Sequence, residues 1–218
     1  MASLLGLAYG ARHIDLYYPP PCPPLDQKYY PDLQRYWGVA KSLSSHQLRY
    51  CPPDQFWAGA RFIVFFRDPL EIAVSAYRHL ERGAPHFEHA DRPEYLQSVG
   101  MFVEQVSQRD TQTRFLCGCG PEVCMTEGHL AQALDQMERY DYIGLTERYD
   151  DSLSLIARDY PELSGKQAYE NRNPERAVAQ YRTEMAPELI ALIEQLNAFD
   201  VALYHRAQEC FNARFSGS

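Results

Sequence analysis

The stretch RFIVFFRDPLEIAVSAYRHL, residues 61–80, places Arg67 at the end of an apolar run and Ser75 eight positions further on. An arginine offers a planar fork of N–H donors that stays charged at any working pH, and a serine adds one O–H. Brought together, the two suit a tetrahedral oxyanion, which accepts several charge-assisted hydrogen bonds at once. Each residue alone also has a plainer reading. Arg67-Asp68-Pro69 can be a structural ion pair at a helix start. Ser75 can bond a carbonyl one turn back along its own helix.

The elements that must position this pair follow from periodicity. Phe62-Ile63-Val64-Phe65-Phe66 is too apolar for a half-solvated strand and reads as one buried on both faces. Pro69 suits a first helical turn, where its missing N–H has no partner to lose. Leu70, Val74, Tyr77 and Leu80 then repeat at helical spacing over about 69–82, a stripe expected to pack back on the sheet. A further amphipathic helix is expected over 94–109. TRFLCG (113–118) reads as a short strand or an extended lead to a turn, and EGHLAQALDQMERY as a helix. DYIGLTE (141–147) reads as strand then turn, followed by a helix over 148–160. Two C-terminal helices are expected, about 175–196 and 199–214, the second capped by Asp200. Strands alternating with helices predict a single α/β domain over 1–218, its parallel sheet covered on both faces as three layers. Ligands of such sheets sit beyond the carboxyl ends of the strands, where Arg67 and Glu147 fall.

Composition restricts the anion and its source. Hydrophobic residues make up 45% of the 218, enough for a continuous core. A net charge of −8 argues against a general nucleic-acid or anionic-membrane binder, so any anion must be caught by a local cluster. No apolar run approaches the ~20 residues of a membrane span, and MASLLGLAYGARH lacks the pattern of a signal peptide. A cytoplasmic protein is expected. The stretch YYPPPCPPLDQKYYPDLQ, with six of the fifteen prolines, and PELSGKQAYENRNPER (161–176) read as loops. Six cysteines are too few for a disulfide scaffold at this length. The cluster Cys117, Cys119, Cys124 lacks the second ligand pair of a structural zinc site, and buried thiols are the simpler reading.

RDPLEIAVSAYRHL resembles the 3′-phosphate-binding segment of sulfotransferases that use 3′-phosphoadenosine 5′-phosphosulfate (PAPS). It is most similar to the carbohydrate branch with the heparan sulfate and uronyl 2-O-sulfotransferases, whose pattern is roughly RDPxxRxxSxYxx. SSHQLRY, TRFLCGCGPEVC and YDYIGLTERYDDSLSLI resemble three further segments of that branch in the same order, so the likeness spans about 40–215. The chain departs from the pattern twice. Ile72 stands where the helix usually carries a second arginine. A lysine-bearing glycine-rich loop of the kind KTGGTSL is absent, and Met1-Ala2-Ser3-Leu4-Leu5 resembles only its last residues and the helix behind it. The first strand and phosphate loop of a P-loop nucleoside triphosphate hydrolase-like fold are thus expected to be missing from an N-terminally truncated domain.

The resemblance implies transfer of a sulfuryl group from PAPS, a co-substrate, to a hydroxyl of a carbohydrate or small acceptor, without a metal. Arg67 and Ser75 would hold the 3′-phosphate, with Arg172 of ENRNPER and Ser3 as further nucleotide contacts. His46 of SSHQLRY would be the general base, since an in-line attack needs a group of near-neutral pKa to take the acceptor proton. Read only from its neighbours, His46 can also be a loop histidine bonded to backbone. Cys117 and Cys124 match a disulfide pair of the animal enzymes and would stay reduced in a cytoplasmic protein. The alternative is a truncated, catalytically inactive relative that serves as a binding module. A nucleotide kinase would need a Walker lysine and a magnesium-binding carboxylate, and neither motif is present.

Overall fold

The computed structural model describes residues 2–16, 39–45, 59–81, 98–105, 109–165, 182–183 and 185–216. The chain is mixed α/β. Helix α1 (Ala2–Tyr9) leads through a 3₁₀ turn into β1 (His13–Leu16), and β2 (Ser42–Ser45) and β3 (Ile63–Phe66) follow. Helices α2 (Pro69–Glu81), α3 (Val99–Gln105), α4 (Thr111–Cys117) and α5 (Glu127–Glu138) precede β4 (Tyr142–Leu145). Helices α6 (Tyr149–Asp159), α7 (Pro187–Leu196) and α8 (Ala198–Ser216) come last.

The strand at 61–66 and the strand within 141–147 are parallel neighbours, with Ile63 opposite Tyr142 and Phe66 opposite Leu145. Alternation along the two strands divides their side chains between two cores. Phe62, Phe66, Ile143 and Leu145 face α4, α5 and α8, meeting Leu116, Met137, Leu203 and Phe211. Ile63, Phe65 and Tyr142 face α1 and α6, meeting Leu5 and Ile156. Helices thus lie on both faces of the β3–β4 pair. Burying side chains such as Phe66, Leu145 and Phe211 contributes about 1.5–3 kcal/mol each before chain entropy is counted. The sheet itself is small. Among the described residues β1 pairs only with β2, also in parallel, and β3 only with β4.

Two carboxylates continue the β3–β4 register beyond the ladder. Asp141 accepts the Phe62 N–H at 2.8 Å at the strand entrance, and Glu147 accepts the Asp68 N–H at 2.8 Å at the exit. Strand β3 is pinned at both ends.

Five expectations are corrected. Residues 111–117 are helical, because the Asp200 carboxylate takes the N–H groups of Gln112 and Thr113 and the Thr113 hydroxyl. Gly118 ends that helix at φ 76°, a left-handed conformation without Cβ strain. Asp200 therefore caps α4, not its own helix. The amides of Phe199 and Asp200 are taken by Asp110, so the two helix starts cap each other. The helix expected over 94–109 is described only as Val99–Gln105, and Asp110 beyond it stands at φ 50°. The helix expected over about 175–196 is interrupted: Arg182 and Thr183 are helical, and α7 starts afresh at Pro187. A residue before proline is driven out of the helical region, and Ala186 is accordingly extended at ψ 134°. Finally, Leu70, Val74 and Tyr77 do not pack on the sheet. Both faces of β3–β4 are already covered, so this stripe meets Phe102 and Val103 of α3 and Ile193 of α7.

Candidate functional site

Arg67 leaves the carboxyl end of β3, and α2 starts two residues later, so Glu71 and Ser75 lie four and eight residues on along one helical face. The Arg67 Nε–H donates to Glu71 Oε2 at 3.1 Å, and an Nη1–H donates to Ser75 Oγ at 3.4 Å. The arginine and the hydroxyl thus converge. The Arg67 side chain keeps 39% of its surface exposed, against 12% for Glu71, so the guanidinium faces outward over a sunken carboxylate. Burial pushes the Glu71 carboxyl upward, and the neighbouring Arg67 charge only partly offsets this.

The scaffold beneath is polar and connected. Gln112 of α4 accepts the Arg67 N–H and donates to the Arg67 carbonyl, each at 2.9 Å. Buried Asp68 caps α2 through the Leu70 N–H at 2.8 Å, and its other oxygen takes Arg182 Nη2 at 3.1 Å. Glu147 holds the Asp68 N–H with Oε1 and the Tyr204 hydroxyl with Oε2, both at 2.8 Å. The Tyr204 hydroxyl is pushed up by burial and by this carboxylate. Arg182 reaches Glu194 at 2.7 Å with its other nitrogen.

A cavity of about 160 Å³ lies beside this edge, with Asp68, Arg182, Tyr204, His205 and Gln208 in its wall. A larger one, about 350 Å³, opens at the other end of β4, between Tyr142, Arg158, Asp159 and Arg214. The smaller cavity is at the carboxyl edge, where ligands of parallel α/β sheets bind, and its wall includes Asp68 but neither Arg67 nor Ser75. The candidate site is accordingly the Arg67–Ser75 pair at this edge.

Of the residues singled out in the sequence, Arg67, Ser75 and Glu147 come to one edge. Ser3 lies in the first turn of α1. His46 and Arg172 lie outside the described residues. Two other histidines have structural partners. His13 Nδ1 is 2.9 Å from Ser42 Oγ and Nε2 is 3.2 Å from Ser44 Oγ, and His129 completes a capping box with Thr126. Gln112, Tyr204 and Arg182 were not foreseen; nothing in their local spacing marks them, because each reaches the site from a remote helix or segment. Cys117, Cys119, Cys124 and Cys210 are free thiols, and among the described residues no group of three or more His, Cys, Asp or Glu gathers as a metal site would. No helix among these residues is long and apolar enough to cross a membrane. No family model and no curated protein matches the chain.

Proposed function

We propose that the chain is a sulfotransferase-type protein that binds the 3′-phosphate of PAPS through Arg67 and Ser75 and passes its sulfuryl group to a carbohydrate hydroxyl. The observation that carries this reading is the convergence of Arg67 and Ser75, 3.4 Å apart, at the carboxyl edge of a parallel sheet. The donor chemistry fits a phosphate. Of the five N–H donors of a guanidinium, one goes to Glu71 and one to Ser75, which leaves three without a partner among the described residues. Ser75 accepts from Arg67, so its own O–H remains available to donate. A phosphate oxygen face accepts such a set, and a charge-assisted contact of this kind is worth about 1.5–3 kcal/mol.

The resemblance supplies the rest of the reading. Bound PAPS would provide an activated sulfuryl group whose transfer needs positioning and charge stabilisation, with no metal. His46 would take the acceptor proton, and Arg172 and Ser3 would add nucleotide contacts. The fold would be the sulfotransferase member of the P-loop-like class. Parallel pairing of β3 with β4 and helices on both faces support that assignment.

Calorimetry with 3′-phosphoadenosine 5′-phosphate tests the site without requiring turnover. Wild type should bind, and Arg67→Ala should weaken binding by about 2 kcal/mol, near thirtyfold, with a smaller loss for Ser75→Ala. Unchanged affinity in Arg67→Ala overturns the assignment. Sulfuryl transfer from PAPS to a panel of glycan acceptors then separates an enzyme from a binding module, which would bind and not turn over.

A further inference from the structure

Glu71 is an unusual neighbour for a phosphate-binding arginine. It is a half-buried carboxylate set directly against the cation, where a bound dianion would feel its charge. Its geometry is nevertheless selective. It takes only the Nε–H of Arg67, at 3.1 Å, and leaves the outward Nη groups to Ser75 and to solvent. A guanidinium is planar, so fixing the Nε–H fixes the direction in which the Nη edge points. Arg67 keeps its backbone still through Gln112, and Glu71 does the same for its side chain.

Resting on the phosphate-binding reading, we propose that Glu71 is the positioning residue of Arg67 and that its charge makes anion binding at this site proton-linked. Among the described residues, three charged groups face Glu71. Arg67, from the end of β3, attracts it, while Asp68 at the start of α2 and Glu147 at the exit of β4 repel it. Asp68 is in turn compensated by Arg182, and Glu147 is tied to Tyr204 of α8. Ser75 carries no charge. A phosphate arriving on the Nη edge adds negative charge to this set, raises the proton affinity of Glu71 further, and so binds with proton uptake. The sign follows: ionised Glu71 opposes the anion at neutral pH, and the opposition fades as pH falls into the carboxyl range.

Three proteins separate the two roles: wild type, Glu71→Gln and Glu71→Ala, each titrated with 3′-phosphoadenosine 5′-phosphate between pH 5 and 7.5. Circular dichroism should first show the same fold. Glutamine keeps an oxygen for the Nε–H and removes the charge. It should bind roughly tenfold more tightly than wild type at pH 7.5, as expected for one unit charge a few ångströms away in a partly solvated site. That ratio should shrink toward one at pH 5. The ligand's own phosphate also titrates near 6, but equally for both proteins, so their ratio isolates Glu71. Alanine removes charge and contact together and should bind at least severalfold more weakly than glutamine. A Gln-to-wild-type ratio that does not change with pH overturns the proton linkage, and equal affinities of the Ala and Gln variants overturn the positioning role. Failure of the wild-type protein to bind the probe at any pH would instead overturn the phosphate-binding reading itself.

Discussion

The side-chain amide of Gln112 closes a two-bond ring on the peptide of Arg67, its Oε1 accepting the N–H and its Nε2 donating to the carbonyl, each at 2.9 Å. This is how a neighbouring strand would hold that peptide, supplied here by one side chain at the point where β3 ends. The N–H of Gln112 itself is held by Asp200 at 3.1 Å. A chain of bonds therefore runs from the start of α8 through the start of α4 to the backbone of the candidate phosphate arginine.

Replacing Gln112 with leucine keeps its bulk and removes both bonds. Two half-buried backbone groups then lose their partners, so urea unfolding should show a loss of about 2 kcal/mol. If the ring also aims Arg67, affinity for 3′-phosphoadenosine 5′-phosphate should fall in the same variant. Undiminished stability would mean that water replaces the amide at no cost.

The reciprocal caps give a pH signature. Burial pushes the carboxyls of both Asp110 and Asp200 upward, although each accepts backbone N–H bonds that favour its ionised form. A carboxyl raised in the folded state binds its proton more tightly than in the unfolded chain. Its contribution is therefore fullest below the unfolded value, about 3.9, and is lost as pH rises through the folded value. Asp200→Asn removes this dependence at one position. Stability of wild type measured relative to Asp200→Asn should decline as pH is raised from about 4 toward neutrality. A relative stability that rises over that range would contradict the direction assigned to Asp200.

Legibility from the sequence divides along a physical line. The parallel pair β3–β4 was readable because both strands are short apolar runs bounded by charged turns, and Arg67 and Glu147 fall at their ends by simple counting. The helix at 111–117 was not, because nothing within Thr-Gln-Thr-Arg-Phe-Leu-Cys signals its start. The signal is Asp200, some ninety positions away, and the caps on α4 and α8 exist only once both helices are placed. Tyr204 and Arg182 were hidden for the same reason. Glu71 was visible as a residue four positions after Arg67, but its half-burial, which gives it consequence, depends on the helices packed around α2.

Gly144 meets a close approach. A Cβ at this position would stand 2.6 Å from Cε1 of Phe65, its partner across the β3–β4 ladder. The Phe65 ring cannot swing away freely, since Tyr149 packs against it with centroids 5.6 Å apart. Gly144→Ala should lower stability by about 1–3 kcal/mol, as overpacking does in well-filled cores. The double variant Gly144→Ala with Phe65→Leu should recover part of that loss, giving a double-mutant coupling of the opposite sign. Independent, additive losses would show that the ring is not the obstacle.

The cysteine cluster makes a last prediction, because Arg114 holds its loop in place. The guanidinium donates to the carbonyls of Arg109, Gly120 and Val123, at 2.8, 2.6 and 2.8 Å, so a single side chain closes the turn that carries Cys117, Cys119 and Cys124. Cys124 is exposed, whereas the Cys117 thiol is pushed up to about 11 by burial and by neighbouring Cys119. Thiolate is the reacting species, and at pH 7.5 a thiol with that value is ionised in only a few parts in ten thousand. A maleimide reagent should therefore label Cys124 first and Cys117 far more slowly, which peptide mass spectrometry resolves. Arg114→Ala removes the three bonds and opens the loop to water. Cys117 labelling should then accelerate tenfold or more while Cys124 changes little. If Cys117 stays slow in that variant, its protection comes from α4 packing on the core through Leu116 and not from the Arg114 closure.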